Sequence, residues 1–178
     1  MKNLLDLARQ TIEAYAENEE VEVPEILKKK YSDKQACFVT LTLNGQLRGC
    51  IGSLYPRQEL WEDVQENAVN AAFNDPRFYP LKKEEIEKIK IEISILSIPK
   101  KLDFEDSEDL LKKINSEMGI ILRKGSYSAT YLPQVWGQIS KKEEFLQSLS
   151  MKAGLNKNSW TDKNIEIYTY TAREIKER

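Results

Sequence analysis

Two long stretches of the chain carry apolar residues at helical spacing. One occupies residues 2–18, and the other runs from Leu60 to Ala72. Residues three or four positions apart share one face of a helix, so both stretches are predicted to form amphipathic helices. Pro24 predicts the start of a short helix that extends to Lys30, because proline is well tolerated in a first turn.

Other stretches have the composition and alternation of β-strands. Residues 37–43 and 46–51 flank Asn44-Gly45, which predicts a hairpin because both turn positions accept positive φ. Isoleucines alternate with polar residues through positions 89–95, as in a half-buried strand. A second hairpin is predicted at residues 119–132, and a last strand at residues 165–169.

The order of these elements indicates the fold class. Ser140 and Glu143 have the spacing of a capping box, and Gly154 suits a helix end, so a late helix is predicted between them. Hairpins mixed with helices, without a strict β-α-β order, favour an α+β fold with a mostly antiparallel sheet flanked by helices. The length of 178 residues indicates a single domain over residues 1–178, with room for a smaller lobe.

Composition narrows the classes of function. With 27 basic and 29 acidic residues, the chain has no basic excess, so nucleic-acid binding is disfavoured. No signal-peptide core is present, and no apolar run approaches the ~18 residues of a membrane span. A cytoplasmic protein with two reduced cysteines is therefore expected. The absence of histidine excludes Ser-His-Asp and Cys-His catalysis and any Cys/His zinc site within this chain, so no metal is predicted.

The first hairpin contains the leading site candidate, Arg48-Gly49-Cys50-Ile51-Gly52. A two-residue turn would place Leu41 opposite Arg48 and Val39 opposite Cys50, with both cysteines on one face. Arg48 beside Cys50 would favour a thiolate, and the two glycines would let a ligand approach the backbone amides. The structural alternative is that Cys50 is an inert, buried residue, that Gly49 relieves crowding and that Arg48 pairs with a local carboxylate.

Two further segments are candidates for ligand binding. Asp75 and Arg77 flank Pro76 after the second long helix, where the alternative is a helix stop with a surface ion pair. Tyr131, Gln134 and Trp136 leave the second hairpin as a polar-aromatic run that would suit a pocket wall. A satellite hydrophobic cluster is the alternative for this last group.

Several blocks together resemble a known family. The signature block, residues 47–52, is similar to that of the AMMECR-domain family, and further blocks of the family are matched in order across nearly the whole chain. These further blocks are residues 75–78, 91–97, 128–136 and 152–155, followed by Trp160. The resemblance implies an α+β fold with two unequal lobes, and a cleft between them bordered by residues 48–52.

The resemblance also implies partners. The block at residues 128–136 looks like the bacterial and archaeal branch of the family, which is associated with a Memo-type protein and a radical S-adenosylmethionine protein in a three-part system.

The sequence supports three hypotheses. The first is a cleft-bearing accessory module that binds a small molecule or a partner, and the second is a thiol enzyme using Cys50, with Asp75 or Tyr131 replacing the missing histidine. The third is a nucleotide or nucleic-acid binder using Tyr131 and Trp136. Whether the protein is an enzyme, and which cofactor it would use, stay open from the sequence.

Overall fold

The computed structural model describes residues 3–177. It divides into two compact units. The first unit comprises the chain up to Ile98 together with the segment from Arg173 onwards, and the second unit is Pro99–Ala172. In sequence, the second unit therefore interrupts the first.

Each unit has its own set of helices and strands. The first unit contains α1 (Leu4–Ala16), α2 (Glu25–Lys30), β1 (Ala36–Leu43), β2 (Gln46–Gly52), α3 (Leu60–Phe73), α4 (Lys83–Ile86) and β3 (Ile89–Leu96). The second contains β4 (Lys100–Leu102), α5 (Ser107–Lys113), β5 (Gly119–Lys124), β6 (Tyr127–Tyr131), α6 (Lys142–Lys152) and β7 (Glu166–Tyr170), with short 3-10 helices at Pro133–Gly137 and Ser159–Thr161. Strand β8 (Ala172–Lys176) then returns the chain to the first unit.

The first sheet has the strand order β2-β1-β3-β8, and β1 pairs antiparallel with both β2 and β3. One face carries the buried aliphatic residues of alternate positions, including Val39, Leu41 and Ile91. These residues form one core with the apolar stripes of α1 and α3. The alternation seen at residues 89–95 therefore corresponds to a strand with one core face.

The first hairpin has the predicted turn but not the predicted register. Asn44 and Gly45 both have positive φ, and Leu43 pairs with Gln46. A bulge then shifts the register between Leu41 and Thr42, so that Leu41 faces Gly49 and Thr40 faces Cys50. The predicted pairs Leu41–Arg48 and Val39–Cys50 are therefore wrong, because one extra residue in β2 reverses the faces of the residues beyond it.

The second unit is built on the sheet β4-β7-β5-β6. Its pairs β5–β6, β5–β7 and β4–β7 are antiparallel. Its core gathers buried residues of α5, α6, β5 and β7, with Trp136 stacked on Phe145 at 3.7 Å between ring centroids. The two units have distinct cores, since the two clusters of buried residues share no residue.

The fold class is confirmed as α+β with antiparallel sheets. The predicted capping box at Ser140 is wrong, because α6 begins after Lys141 and no side chain caps it. The strands β4 and β8 were not predicted from the sequence. A cleft between two lobes stays a prediction. Within residues 3–177, no helix combines the length and apolar character needed to cross a bilayer.

Candidate functional site

The site is built on the free edge of β2. Because β2 is the outermost strand of its sheet in residues 3–177, one of its backbone edges faces no partner strand among them. At Cys50 this edge is bound by two side chains instead. The Cys50 N–H donates to Asp75 Oδ2 at 2.8 Å, and the Cys50 carbonyl oxygen accepts from Arg77 Nη2 at 3.0 Å. The Asp75–Arg77 pair thus takes the place that a neighbouring strand would occupy.

Asp75 and Arg77 are themselves joined by a two-point ion pair. Arg77 Nε donates to Asp75 Oδ1 at 2.9 Å, and Arg77 Nη2 donates to Oδ2 at 2.7 Å. The Asp75 side chain is only 2% exposed. Hydrogen bonds from the Arg77 side chain, followed by those from the Cys50 and Arg77 amides, lower the pKa of Asp75 to about 2. The carboxylate is therefore held ionised at neutral pH.

The Cys50 thiol is half-buried and points away from the aliphatic core. Its Sγ lies 3.2 Å from Thr40 Oγ1, the residue that faces it across the hairpin. The pKa of Arg77 is raised first by Asp75 and further by the Cys50 side chain. The guanidinium bound to Cys50 is thus that of Arg77, through the Cys50 carbonyl oxygen, whereas the functional hypothesis from the sequence placed Arg48 beside the thiol.

Arg48 is fully engaged elsewhere in the first unit. Its Nε and Nη2 donate to the two oxygens of Glu85 at 2.8 and 2.9 Å. Its Nη1 donates to the Tyr79 carbonyl at 3.0 Å, and Nη2 reaches the Pro80 carbonyl at 3.5 Å. Hydrogen bonding from Arg48 lowers the pKa of Glu85 to about 2, and the same bonds raise the pKa of Arg48. We call this group, Arg48 with Glu85 and the two carbonyl oxygens, the Arg48 clamp.

Residues 76–80, which we call the Tyr79 segment, include Arg77 and are bound by Arg48 through two of their carbonyl oxygens. The ring of Phe78 lies 6.0 Å from the Arg48 guanidinium and 5.5 Å from that of Arg77. Tyr79 is the most exposed of the large hydrophobic side chains described, at 89% of its surface. An aromatic side chain is therefore displayed to solvent on a segment whose backbone is fixed by the clamp.

The two glycines of the motif are explained by packing. A Cβ on Gly49 would lie 2.0 Å from the Ala71 carbonyl oxygen, so only glycine lets α3 approach β2 this closely. A Cβ on Gly52 would lie 2.3 Å from the Phe38 ring. Ile51 packs half-buried against the core of the first unit. The structure thus favours the interpretation that these glycines relieve crowding.

A second polar cluster, which the sequence reading missed, joins α3 to the start of β1. The buried Asp63 carboxylate accepts from the Cys37 N–H at 2.8 Å, the Ser53 hydroxyl at 2.9 Å and the Asn67 amide at 3.0 Å. Burial, reinforced by Asp63, raises the pKa of the Cys37 thiol well above its usual value. Asp63 and Asn67 lie at helical spacing on the otherwise apolar stripe of α3, and this pattern could have indicated the buried polar cluster from the sequence.

The third group of candidates lies in the second unit. The Tyr131 hydroxyl pairs with Ser148 Oγ at 2.9 Å, and its ring meets Phe145 edge-on at 5.3 Å. Trp136 is buried and donates from Nε1 to the Met118 carbonyl at 2.8 Å. Gln134 is half-buried on the same 3-10 helix. These residues have the packing of the satellite hydrophobic cluster that was the alternative for them.

The acidic and thiol groups do not gather into a metal site. Across residues 3–177, no three histidine, cysteine, aspartate or glutamate side chains are grouped as a metal would require. The Asp75 carboxylate is instead saturated by amide and guanidinium donors. The site therefore consists of the outer edge of β2, bound by Asp75 and Arg77, one half-buried thiol and one exposed aromatic segment.

The fold and the site define a class: an α+β protein with two antiparallel sheets and an Arg-Gly-Cys motif on an edge strand. The AMMECR1 family model matches residues 5–175, and the chain belongs to this family. It is 38% identical to Protein NEQ441 of Nanoarchaeum equitans, over 98% of this chain and 99% of that one. A protein of Aquifex aeolicus is also 38% identical, over 100% of this chain and 93% of its own length. The crystal structure of PH0010 from Pyrococcus horikoshii is similar with a TM-score of 0.92 at 36% identity, covering 98% of this chain and 90% of that chain.

Proposed function

We propose that this protein is an accessory protein that binds a partner protein through the Tyr79 segment. The observation that carries the proposal is the Arg48 clamp, which fixes the backbone beneath a tyrosine side chain that is 89% exposed. Aromatic residues on rigid supports lose little conformational entropy when they are covered, and they dominate the energetics of many interfaces.

The role of the motif arginine follows from its contacts. All the hydrogen bonds described for the Arg48 guanidinium are made to Glu85 and to backbone carbonyls of the Tyr79 segment. In this proposal Arg48 acts as a positioning residue and does not bind a ligand. Arg77 also lies near the Phe78 ring, and it joins the segment to the backbone of Cys50.

The proposed partner is a Memo-type protein, with a radical S-adenosylmethionine protein as the third component of the system. This part of the proposal rests on the resemblance of the chain to the bacterial and archaeal branch of its family. Membership in the family does not by itself assign a reaction. An accessory role fits a chain that has no histidine and no metal-binding cluster in the part that the structure describes.

The test is a binding measurement with the purified Memo-type protein and the radical S-adenosylmethionine protein of the same organism. We expect the chain to bind the Memo-type protein, and Tyr79→Ala to weaken that binding at least tenfold, as loss of a central aromatic anchor does. Tyr127→Ala is the matched control because Tyr127 is also exposed, at 52%, but belongs to the second unit.

Two results would contradict the proposal. One is the absence of binding to either protein by the unmodified chain, measured by calorimetry and size-exclusion chromatography. The other is equal affinity of the Tyr79→Ala and Tyr127→Ala variants, because loss of the central residue of a docking surface must weaken binding more than loss of a tyrosine outside that surface.

A second candidate function is thiol chemistry at Cys50. The observation in its favour is that Arg77 binds the Cys50 backbone, with Nη2 3.0 Å from the Cys50 carbonyl oxygen, and so stands next to this half-buried cysteine. The contacts described give this sulfur one hydroxyl neighbour, Thr40, and no carboxylate, because Asp75 binds the backbone and Arg77 instead. The candidate therefore ranks below partner binding.

Iodoacetamide labelling of the folded protein tests this candidate, with each cysteine followed by peptide mass spectrometry. Cys50 should react at pH 8 while the fully buried Cys37 does not, which provides an internal control. If Arg77 supports the thiolate, Arg77→Gln should slow the labelling of Cys50. An unreactive Cys50 at pH 8 removes the candidate.

A further inference from the structure

The sheet of the second unit ends in an edge strand that lacks the usual protection against strand pairing. Edge strands are commonly short, charged, bulged or covered, because their unpaired backbone groups attract other strands. Strand β2 is bound by Asp75 and Arg77, β8 is charged at three of its five positions, and β4 has three residues, two of them lysines. Strand β6 is the remaining edge within residues 3–177, and its five residues carry no charge. Its pairing with β5 contains no bulge.

The register of the second hairpin shows which backbone groups of β6 face outwards. A two-residue turn separates Lys124 from Tyr127, so these residues close the hairpin as a hydrogen-bonded pair. Hydrogen-bonded and non-hydrogen-bonded pairs alternate along an antiparallel ladder. The N–H and C=O groups of Ser128 and Thr130 therefore point away from β5.

One lysine covers part of this edge. Lys152, at the end of α6, donates from Nζ to the Thr130 carbonyl oxygen at 2.9 Å. In the part of the chain that the structure describes, the other three outward groups have no hydrogen-bond partner. The Thr130 oxygen has a second lone pair, so it can accept from another strand while Lys152 stays in place. The edge can thus form four further hydrogen bonds.

The sequence of β6 is complementary to itself in an antiparallel arrangement. When two copies pair about Ala129, Ser128 of one copy lies opposite Thr130 of the other, and each such pair exchanges two hydrogen bonds. Tyr127 then lies opposite Tyr131 of the other copy. Hydroxyl pairs and aromatic pairs are favourable cross-strand neighbours, and no like charges meet.

Exposed apolar side chains lie beside the same edge. Across residues 99–172, the exposed large apolar side chains are Tyr127, at 52%, and Met151, at 54%. Tyr127 begins β6, and Met151 precedes Lys152, which reaches the edge. A Cβ on Gly154 would lie 3.6 Å from the Tyr127 ring, so the end of α6 and the start of β6 are neighbours. Apolar surface at an open edge is typical of an interaction site.

We propose that β6 pairs with β6 of a second copy of this chain, antiparallel about a twofold axis at Ala129. The two four-stranded sheets then continue as one sheet. Both copies use the same surface, so the contact closes as a dimer. A contact of five residues a side is small, so the dimer forms reversibly at high protein concentration. Because the contact consists of residues of the second unit, the proposal is independent of partner binding through the Tyr79 segment.

Sedimentation equilibrium of the full chain measures this association. We expect the mean mass to rise from that of one chain towards that of two chains as the concentration increases to about 1 mM, without larger species.

Ser128→Pro is the disrupting variant. Proline removes the outward N–H of residue 128 in both copies, whereas the pairing with β5 does not use that N–H. The Kd of the dimer should rise about tenfold or more. Ser128→Thr is the matched control, since it keeps the N–H and suits a strand, and its Kd should stay within about twofold of that of the unmodified chain. Urea unfolding checks that both variants are folded.

A disulfide provides a test that does not depend on proline. Ala129→Cys places two thiols opposite each other in a non-hydrogen-bonded pair, whose Cα atoms lie about 4.5 Å apart and can be bridged. Mild oxidation should therefore give a covalent dimer of this variant. Ser140→Cys, at an exposed position outside β6, should stay monomeric under the same conditions.

Three outcomes would overturn the proposal. They are a chain that stays monomeric at about 1 mM, equal Kd values for Ser128→Pro and Ser128→Thr, and equal cross-linking of Ala129→Cys and Ser140→Cys. A monomeric chain whose Ser128 amide becomes protected from hydrogen exchange when another protein is added would assign the edge to a strand of that protein. That result would also overturn pairing between copies.

Discussion

At the scale of single residues, Asp75 connects two parts of the first unit with one carboxylate. It accepts from the amides of Cys50 and Arg77 and, twice, from the Arg77 guanidinium. These bonds lower its pKa from 3.8 to about 2. A group whose pKa is lower in the folded state stabilises that state above its unfolded pKa, and the contribution is lost as the pH falls towards the folded value.

This linkage gives a pH-dependent prediction for Asp75→Asn. At pH 7 the variant should lose about 1–2 kcal/mol of unfolding free energy, less than the full shift implies because the Arg77 side chain is half-exposed. The difference from the unmodified protein should shrink as the pH falls from 5 to 2, where the native carboxyl becomes protonated. Urea unfolding at several pH values measures this difference in unfolding free energy. Glu108→Gln, a change at an exposed residue of α5, is the control. A difference that stays constant with pH would refute the linkage.

At the scale of elements, the central contact is the approach of α3 to β2. Gly49 has no side chain, and the Ala71 carbonyl of α3 occupies the place where its Cβ would be. The helix therefore rests on the strand backbone itself at this point. Such a contact tolerates no added atom unless the helix moves, because protein interiors are close-packed.

Gly49→Ala should accordingly destabilise the protein by about 3 kcal/mol, at the upper end of the usual cost of overpacking. Gly137→Ala is the matched control, since a Cβ there meets nothing within 4 Å. Chemical denaturation of both variants gives the comparison. If Gly49→Ala unfolded at the same denaturant concentration as Gly137→Ala, the close approach of α3 to β2 would be in doubt.

The same contact explains why the register of the first hairpin could not be predicted. Asn44-Gly45 specifies the turn, and local sequence has no signal for the bulge that follows two pairs later. The bulge places Gly49 beneath α3 and leaves Cys50 on the opposite face, so it depends on tertiary packing. By contrast, the strand at residues 89–95 was predictable, because its alternating isoleucines are all buried, even though the polar face is exposed only at Lys90.

The residues of the candidate site could be singled out from the sequence, but the contacts between them could not. Arg48, Cys50, Asp75 and Arg77 were all singled out from the sequence, and the structure gathers them in the first unit around one strand edge. The sequence placed Arg48 beside the thiol because the two residues are neighbours in the chain. In the structure it is Arg77 that binds Cys50, through its carbonyl oxygen, and the difference arises because Glu85, 37 positions after Arg48, binds the Arg48 guanidinium.

At the scale of the whole molecule, the chain leaves the first unit after Ile98 and returns to it at Arg173. Strand β8 then completes the first sheet beside β3. Its sequence, residues 172–176, is mostly charged and gave no strand signal, because a largely exposed edge strand needs few apolar residues. Side chains that are distant in sequence hold this last part of the chain in the first unit.

Glu177 and Arg9 hold the chain after β8 against the rest of the first unit. The Glu177 carboxylate accepts from Arg9 Nη2 at 2.6 Å and from the Ile91 amide at 2.9 Å, and the Glu177 amide donates to the Ile91 carbonyl at 3.0 Å. Arg9 also donates to the Ile86 and Ile89 carbonyl oxygens. The ion pair and these hydrogen bonds thus link α1 and β3 to the residue that follows β8.

We therefore predict that Glu177→Gln weakens the first unit as a whole. The variant keeps a side-chain acceptor but loses the charge opposite Arg9, which in a partly buried pair should cost about 1–2 kcal/mol. Hydrogen exchange should speed up at the Ile91 amide and at the neighbouring amides of β3. Glu174→Gln, an exposed change within β8 itself, should leave both the stability and these exchange rates unchanged. Equal behaviour of the two variants would mean that β8 is held by its strand pairing alone, and that the pair between Glu177 and Arg9 contributes nothing to closing the unit.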